Sequence, residues 1–180
     1  MSNIRFTSYP RTEAAAWFIP DVVAAFRNSE AEICTQRLTK GLTSDGVLAV
    51  LRPALIKLGF EVEASKFAKD KIKRPVFFGE NGKPDLQFEV DAFHLEWRCG
   101  LEIEAGRGWL GGAIFRDLVQ ALVMVDVDWL ILAVANTYRF KNKSGGEVIS
   151  RDYPHATAVA EALYGHNRIK MPYKLIVIGY

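Results

Sequence analysis

Two short stretches near the middle of the chain alternate apolar and polar residues. Across 86–93, Leu86, Phe88, Val90 and Ala92 fall on one face and Gln87, Glu89, Asp91 and Phe93 on the other. Leu101, Glu102, Ile103 and Glu104 alternate in the same way, so both stretches predict half-buried strands. A hairpin with its loop centred on Glu96 and Trp97 joins them in this reading. Asp91 then lies opposite Glu102, and Glu89 opposite Glu104. Facing carboxylates repel unless something positive sits between them, and a divalent metal ion is the obvious candidate. A slip of one residue abolishes the opposition. The rival reading makes these four acids the solvated face of an ordinary antiparallel ribbon.

Upstream the periodicity is helical. Alanine-rich residues 12–27 predict a helix that Pro20 breaks or restarts at Asp21, and 29–40 predict a second one ending near Gly41. Ser44 is the expected cap of a third, carrying Val47, Leu48, Leu51, Leu55, Ile56 and Leu58, with a kink or late start at Pro53 and a stop at Gly59. Residues 60–63 look like a strand, and 64–84 like a basic loop around a short strand at 76–78. Downstream, 113–125 form an amphipathic helix with Ile114, Leu118, Ala121, Leu122 and Val125 along one stripe. The nearly all-apolar run 129–134 suits a strand buried on both faces. After a loop at 142–146 come a short helix over 156–164, ending at Gly165, and a final strand over 173–178. The order predicts an α/β fold of three layers, a central mixed sheet flanked by helices. A single domain over 1–180 is expected, with an N-terminal helical segment at 12–40 and a core from about 44 to 180.

Composition narrows the picture modestly. Apolar residues make up 49% and charged residues 24%, the balance of an ordinary globular chain. A net charge of +2 advertises no general field for nucleic acid, so any such site must be local. Cys34 and Cys99 form neither a disulfide framework nor a zinc spacing, and His94, His155 and His166 share no metal-binding spacing. The start of the chain lacks a signal-peptide pattern. The longest apolar stretch, 118–135, is interrupted by Gln120, Asp126 and Asp128, so no membrane span is expected and a cytoplasmic location is.

This order of elements, with an acidic hairpin at its centre, resembles the PD-(D/E)xK nuclease superfamily in an E-x-E variant, most closely over residues 44–135. The resemblance implies a restriction-endonuclease-like core: helix, three-stranded meander, helix and a further strand. Asp91 takes the first acidic position, Glu102 the second, and Glu104 the place usually held by lysine. Asp85, in Pro84-Asp85, is a rival for the first position. The implied cofactor is Mg2+, with Mn2+ as a substitute, held by Asp91, Glu102 and the backbone carbonyl of Ile103. Such a metal lowers the pKa of bound water for attack on a phosphodiester. Double-stranded DNA is the implied partner and a homodimer the implied assembly.

Within that resemblance Glu104 holds a second metal or orients the attacking water. Arg107 is the nearest cation for charge developing on phosphorus, unless it pairs with a local carboxylate. Lys66, Lys69, Lys71, Lys73 and Arg74 form one basic loop, and Arg139, Lys141 and Lys143 another, either for phosphates or merely for solubility. Arg116, Asp117 and Gln120 lie within a turn of one another, so Gln120 contacts substrate or belongs to a solvated face. Trp109 and Trp129 are assigned to packing, whereas an exposed Trp97 at the hairpin tip would be an interface or a DNA wedge. Two other readings stay open: an inactive, nucleic-acid-binding relative of the same fold, and an interaction module whose acidic ribbon recruits a basic protein.

Overall fold

The computed structural model describes residues 2–36, 41–106, 111–141 and 144–180. Along the chain the elements are β1 (Arg5–Tyr9), α1 (Ile19–Asn28), α2 (Glu30–Ile33), α3 (Ser44–Lys57), β2 (Glu61–Val62), β3 (Ile72–Phe78), β4 (Pro84–Val90), β5 (Ala92–His94) and β6 (Cys99–Glu104). They continue with α4 (Ala113–Val123), β7 (Trp129–Val134), β8 (Tyr138–Lys141), β9 (Glu147–Ser150), α5 (Asp152–Gly165) and β10 (Lys174–Gly179). Among the described residues the main sheet has six strands in the order β1-β10-β7-β6-β5-β2, and β3-β4 and β8-β9 form separate two-stranded ribbons. The three central strands, β10, β7 and β6, run parallel, while β1, β5 and β2 pair antiparallel.

Alternation along the central strands sorts their side chains into two cores. Leu101, Ile103, Ile131, Ala133, Ile176 and Ile178 pack with α1, α2 and α3. Leu130, Leu132, Val134, Leu175 and Val177 pack with α4 and α5 on the opposite face. Helices thus cover both faces of a mixed sheet, as expected of an α/β fold. Double coverage also explains why 129–134 reads as continuously apolar. No helix among the described residues is long and apolar enough to cross a membrane.

α3 covers the expected stretch without a late start and runs through Pro53. The carbonyl that loses its partner there belongs to Ala49, which is exposed and can meet water. The cap shifts by one residue: Thr43 Oγ1 accepts from Gly46 N at 3.2 Å. Ser44 Oγ instead accepts from Ala105 N at 2.9 Å, tying the helix start to the end of β6. At the other end Gly59, at φ +98°, closes the helix, with Phe60 N donating to Leu55 O and Gly59 N to Ile56 O.

Several expectations need correction. α1 begins only at Ile19 with Pro20 in its first turn, where the missing N–H has no helical partner to lose, so 12–18 are not helical. The expected second helix shrinks to α2, and Cys34 is already extended; residues 37–40 of that stretch lie outside the described ones. β1 and the β8-β9 hairpin were not anticipated, and α5 starts earlier than the apolar pattern suggested. Trp97 is no exposed wedge: it stacks on His94 at 3.6 Å and on Phe18 at 4.4 Å between ring centroids. His94 is structural, its Nε2 donating to Leu58 O and its Nδ1 accepting from Trp97 N.

The central hairpin is half right. β5 pairs with β6 in the register that a loop at 96–97 demands, Ala92 opposite Leu101 and His94 opposite Cys99. The strand does not run on as one piece, however. The chain bends at Asp91, and 84–90 leave the main sheet to pair with β3. Glu89 therefore lies opposite Lys73, not Glu104. An opposite-charge pair there is favourable, whereas two facing glutamates are not.

Gly59→Ala is expected to destabilise the protein by about 2 kcal/mol, because a side chain there adopts left-handed backbone angles and its Cβ would lie 2.8 Å from His94 Nε2. Chemical denaturation measures it, and an unchanged midpoint refutes this account of the α3 terminus.

Candidate functional site

A cavity of about 410 Å³ opens between the end of β6, the flank of α4 and the base of the β3-β4 ribbon. Asp91 and Glu102 contribute from the main sheet, Lys71, Gln87, Phe88 and Glu89 from the ribbon, Arg116, Asp117 and Gln120 from α4, and Glu63 from the segment after β2. Its walls are mostly charged, and negative charge dominates.

Asp91 sits at the bend where the main sheet gives way to the ribbon. Its Oδ2 accepts from Ile103 N at 2.8 Å, and its carbonyl accepts from Glu63 N at 2.8 Å. The first bond continues the β5-β6 ladder by one step through a side chain, so Asp91 lies beside Glu102 on the neighbouring strand. N–H and C=O of one strand residue point to the same side, so the Ile103 carbonyl is directed toward Asp91 as well. Burial pushes the Asp91 carboxyl up to about 6, against the Ile103 hydrogen bond and with help from Glu63 and Asp117.

Glu102 occupies the floor. It is only 9% exposed and makes no side-chain hydrogen bond among the described residues. Burial first, then the charges of Asp91, Asp117 and Glu104, hold it well above the usual carboxylate range, with Arg116 opposing. Glu104, two residues on, accepts from Arg116 Nη2 at 3.0 Å. Burial and then Asp117 push its carboxyl up to about 8.

Asp117 completes the group from α4. It is 3% exposed, its Oδ1 accepts from Arg116 Nε at 3.0 Å, and its buried Oδ2 meets no N–H or hydroxyl donor among the described residues. It also meets the Glu104 carboxyl, so a proton held on Glu104 serves both. Burial raises Asp117 too, against the pull of Arg116. Lys71 is the other cation, with Nζ 2.7 Å from Glu63 Oε1 and 3.4 Å from Glu89 Oε2. Glu63, Glu89, Asp91, Glu102, Glu104 and Asp117 thus outnumber Lys71 and Arg116.

The expected site residues divide accordingly. Asp91, Glu102, Lys71 and Gln120 line the cavity, and Glu104 borders it through Arg116 and Asp117. Asp85 is exposed on the distal ribbon and does not line the cavity, so Asp91 is the acid beside Glu102. Arg74 is not available to a phosphate, because it pairs with Asp126 and lies over the Phe93 ring at 3.8 Å. Lys69 and Lys73 do not line the cavity, and Lys73 stands exposed on the ribbon. Lys66 pairs with Asp45 at 2.8 Å. Arg107, Trp109 and Lys143 lie outside the described residues.

Asp117 and Arg116 carry more of the site than their spacing in the sequence suggests. The signal was present: Asp117 falls on the same helical stripe as Ile114, Leu118 and Ala121, and an acid at a core position is unusual unless it is used or paired. Glu63 carried no such signal, since only tertiary packing brings it beside Lys71.

An ion of hard character suits this oxygen-only donor set, and Glu102, without a side-chain hydrogen bond among the described residues, is an unmet demand for positive charge. Among the described residues, though, no group of three or more His, Cys, Asp or Glu side chains converges closely enough to hold a metal ion. The chemistry of the donors fits a cation, and the side chains as placed leave them short of closing around one.

Raised carboxyl values carry a definite sign. In the folded protein Asp91 and Glu104 keep protons up to about 6 and about 8, where the unfolded chain has already lost them. Their contribution to stability is full below the unfolded values and is lost as pH rises through the folded ones. In a chelating buffer, raising the pH from about 5 to about 8 is expected to lower Tm by way of these groups. Glu104→Gln should flatten the upper part of that profile in differential scanning fluorimetry. Parallel wild-type and variant profiles would refute the assignment.

The chain matches no protein-family model, and no curated protein sequence is significantly similar to it.

Proposed function

We propose that this cavity is the hydrolytic centre of a metal-dependent nuclease with a restriction-endonuclease-like core, acting on double-stranded DNA. The observation that carries the reading is Glu102: a buried carboxyl group without a hydrogen-bond partner among the described residues, beside Asp91 at the strand junction and within the electrostatic reach of Asp117 and Glu104. No hydrogen bond among the described residues holds an acid at that point. Placing one there costs stability, which makes sense where an ion is to be bound.

In this reading Asp91, Glu102 and the Ile103 carbonyl would hold Mg2+ or Mn2+, with Asp117 as a further oxygen donor. When bound, the metal polarises a phosphoryl oxygen and lowers the pKa of its water. Arg116 holds Glu104 and Asp117 together and presents its charge at the cavity wall, where charge developing on phosphorus would be met. Glu104, with a proton affinity near neutrality, is suited to accept a proton from the attacking water. Lys71 is spent on Glu63 and Glu89 and fixes the ribbon side of the cavity wall. Each of these residues sits on a strand or helix of the scaffold or at its junction, which favours fixed geometry over loop mobility.

That no three acids converge among the described residues favours a second reading, a nucleic-acid-binding domain of the same fold that does not cleave. Incubation with supercoiled plasmid and Mg2+ or Mn2+ separates the two. The wild-type protein is expected to nick or linearise plasmid. Asp91→Asn and Glu102→Gln should lose more than the ~10–100-fold that removing an outer-sphere metal partner costs. The same variants should lose the Mg2+-induced rise in Tm, which in the wild type grows with pH because protons and metal compete for the carboxylates. Equal nicking by wild type and variants, or no metal-dependent Tm shift, counts against hydrolysis at this site.

A further inference from the structure

The β3-β4 ribbon is set apart from the main sheet and differs in character along its length and between its faces. One face carries Ile72 opposite Val90, Arg74 opposite Phe88 and Phe77 opposite Leu86. At the base this face packs on the body: Ile72 and Phe88 join the α4-side core, Arg74 engages Asp126, and Val125 N donates to Pro75 O at 3.0 Å. The other face carries Lys73 opposite Glu89 and Pro75 opposite Gln87. Gln87, Glu89 and Lys71 line the carboxylate cavity, so this polar face runs outward from it.

Beyond Val76 the ribbon meets no packing partner among the described residues. Residues 77–87 are all exposed, including Phe77 at 50% and Phe78 at 54%. Two-stranded ribbons are marginal in water alone, so an arm of this kind is held by its anchored base. Its strands, of seven residues each, extend roughly 23 Å at ~3.3 Å per residue. The major groove of B-form DNA, about 12 Å wide and about 8.5 Å deep, admits a two-stranded ribbon of this kind. Lys73 and Lys83 form no ion pair among the described residues, whereas Lys71 and Arg74 at the base are committed to carboxylates. The ribbon cations without an ion pair, Lys73 and Lys83, therefore lie outside the cavity, on a surface that also carries Asp85 and Glu89, where a duplex backbone would pass.

We propose that the polar face of the β3-β4 ribbon is the specificity-determining surface of this site. It lies in the major groove of a duplex whose backbone enters the cavity, with Lys73 and Lys83 on phosphates and Gln87 on a base edge. This rests on the nucleic-acid reading above but not on hydrolysis. A glutamine amide can donate and accept at once, which matches the adenine edge in that groove. The narrow, deep major groove of A-form RNA would not admit the arm, so the same geometry selects DNA over RNA duplexes.

The test uses the full chain, with calcium in place of magnesium and again in EDTA, against a random-sequence DNA duplex pool and the duplexes selected from it. Lys73→Ala and Lys83→Ala are expected to weaken binding several-fold at every sequence, each lowering the salt slope by about 0.9. Gln87→Ala should keep that slope and relax selection at one base position about 5-fold or more. An RNA duplex should bind more weakly than DNA and respond to none of the ribbon variants. Unchanged slopes with an unchanged selected sequence would overturn the proposal. So would absence of duplex binding, or a ribbon variant that alters the sedimentation mass instead, which would make the arm a contact with a second copy. Plasmid nicking that depends on Glu102 while binding ignores the ribbon sinks this inference alone. Ribbon-dependent binding without metal-dependent cleavage sinks the hydrolytic reading alone.

Discussion

A single side-chain hydrogen bond, from Ile103 N to Asp91, marks the junction on which the site is built. It ends the pairing of β5 with β6 and lets the chain turn away into the ribbon. It also pins the Asp91 carboxylate against the strand that carries Glu102 and Glu104. Had the ladder continued through backbone bonds, 84–90 would lie flat in the main sheet and the cavity would be closed. The bend therefore creates the space, lines it with one acid and aims the ribbon outward from its rim. Glu63 N, bonded to the carbonyl of the same residue, fixes the junction from the other side.

Electrostatics at this point run against stability. For Asp91, Glu102, Glu104 and Asp117 alike, burial is the largest influence, and it favours the protonated form. Hydrogen bonds and the nearby Arg116 pull the other way without winning. Arg116 is spread over two carboxylates, and Lys71 is spent on Glu63 and Glu89. Each buried acid would be easier to tolerate as an apolar residue of similar size. Such a concentration of buried acids beside two committed cations, at the rim of a doubly covered sheet, is the physical basis of the proposed metal site.

The two cores account for why the site can bear this strain. Leu101 and Ile103 anchor β6 on one face, and Leu130, Leu132 and Val134 of the adjacent parallel strand pack on the other. α3 is stitched to the same strand end through Ser44 and Ala105. Glu102 and Glu104 thus project from a strand held by neighbours on both sides and helices on both faces. Ile114, Leu118 and Ala121 seat α4 by the same core, and that seating turns Asp117 inward.

Much of this was written in local patterns. Period-two alternation marked β6, the apolar run marked β7, helical spacing and Gly59 bounded α3, and the loop at Glu96-Trp97 set the register that brings Asp91 alongside Glu102. These follow from backbone periodicity and turn geometry, which neighbouring residues determine among themselves. Tertiary structure alone decided that 84–90 pair with β3, that Arg74 is consumed by Asp126, and that Asp117 and Glu63 join the acids. Alternation tells which residues share a face but carries no information about what lies against that face. A charged side chain's partner depends on elements far away in the chain, so the composition of the cavity emerges only when the layers close.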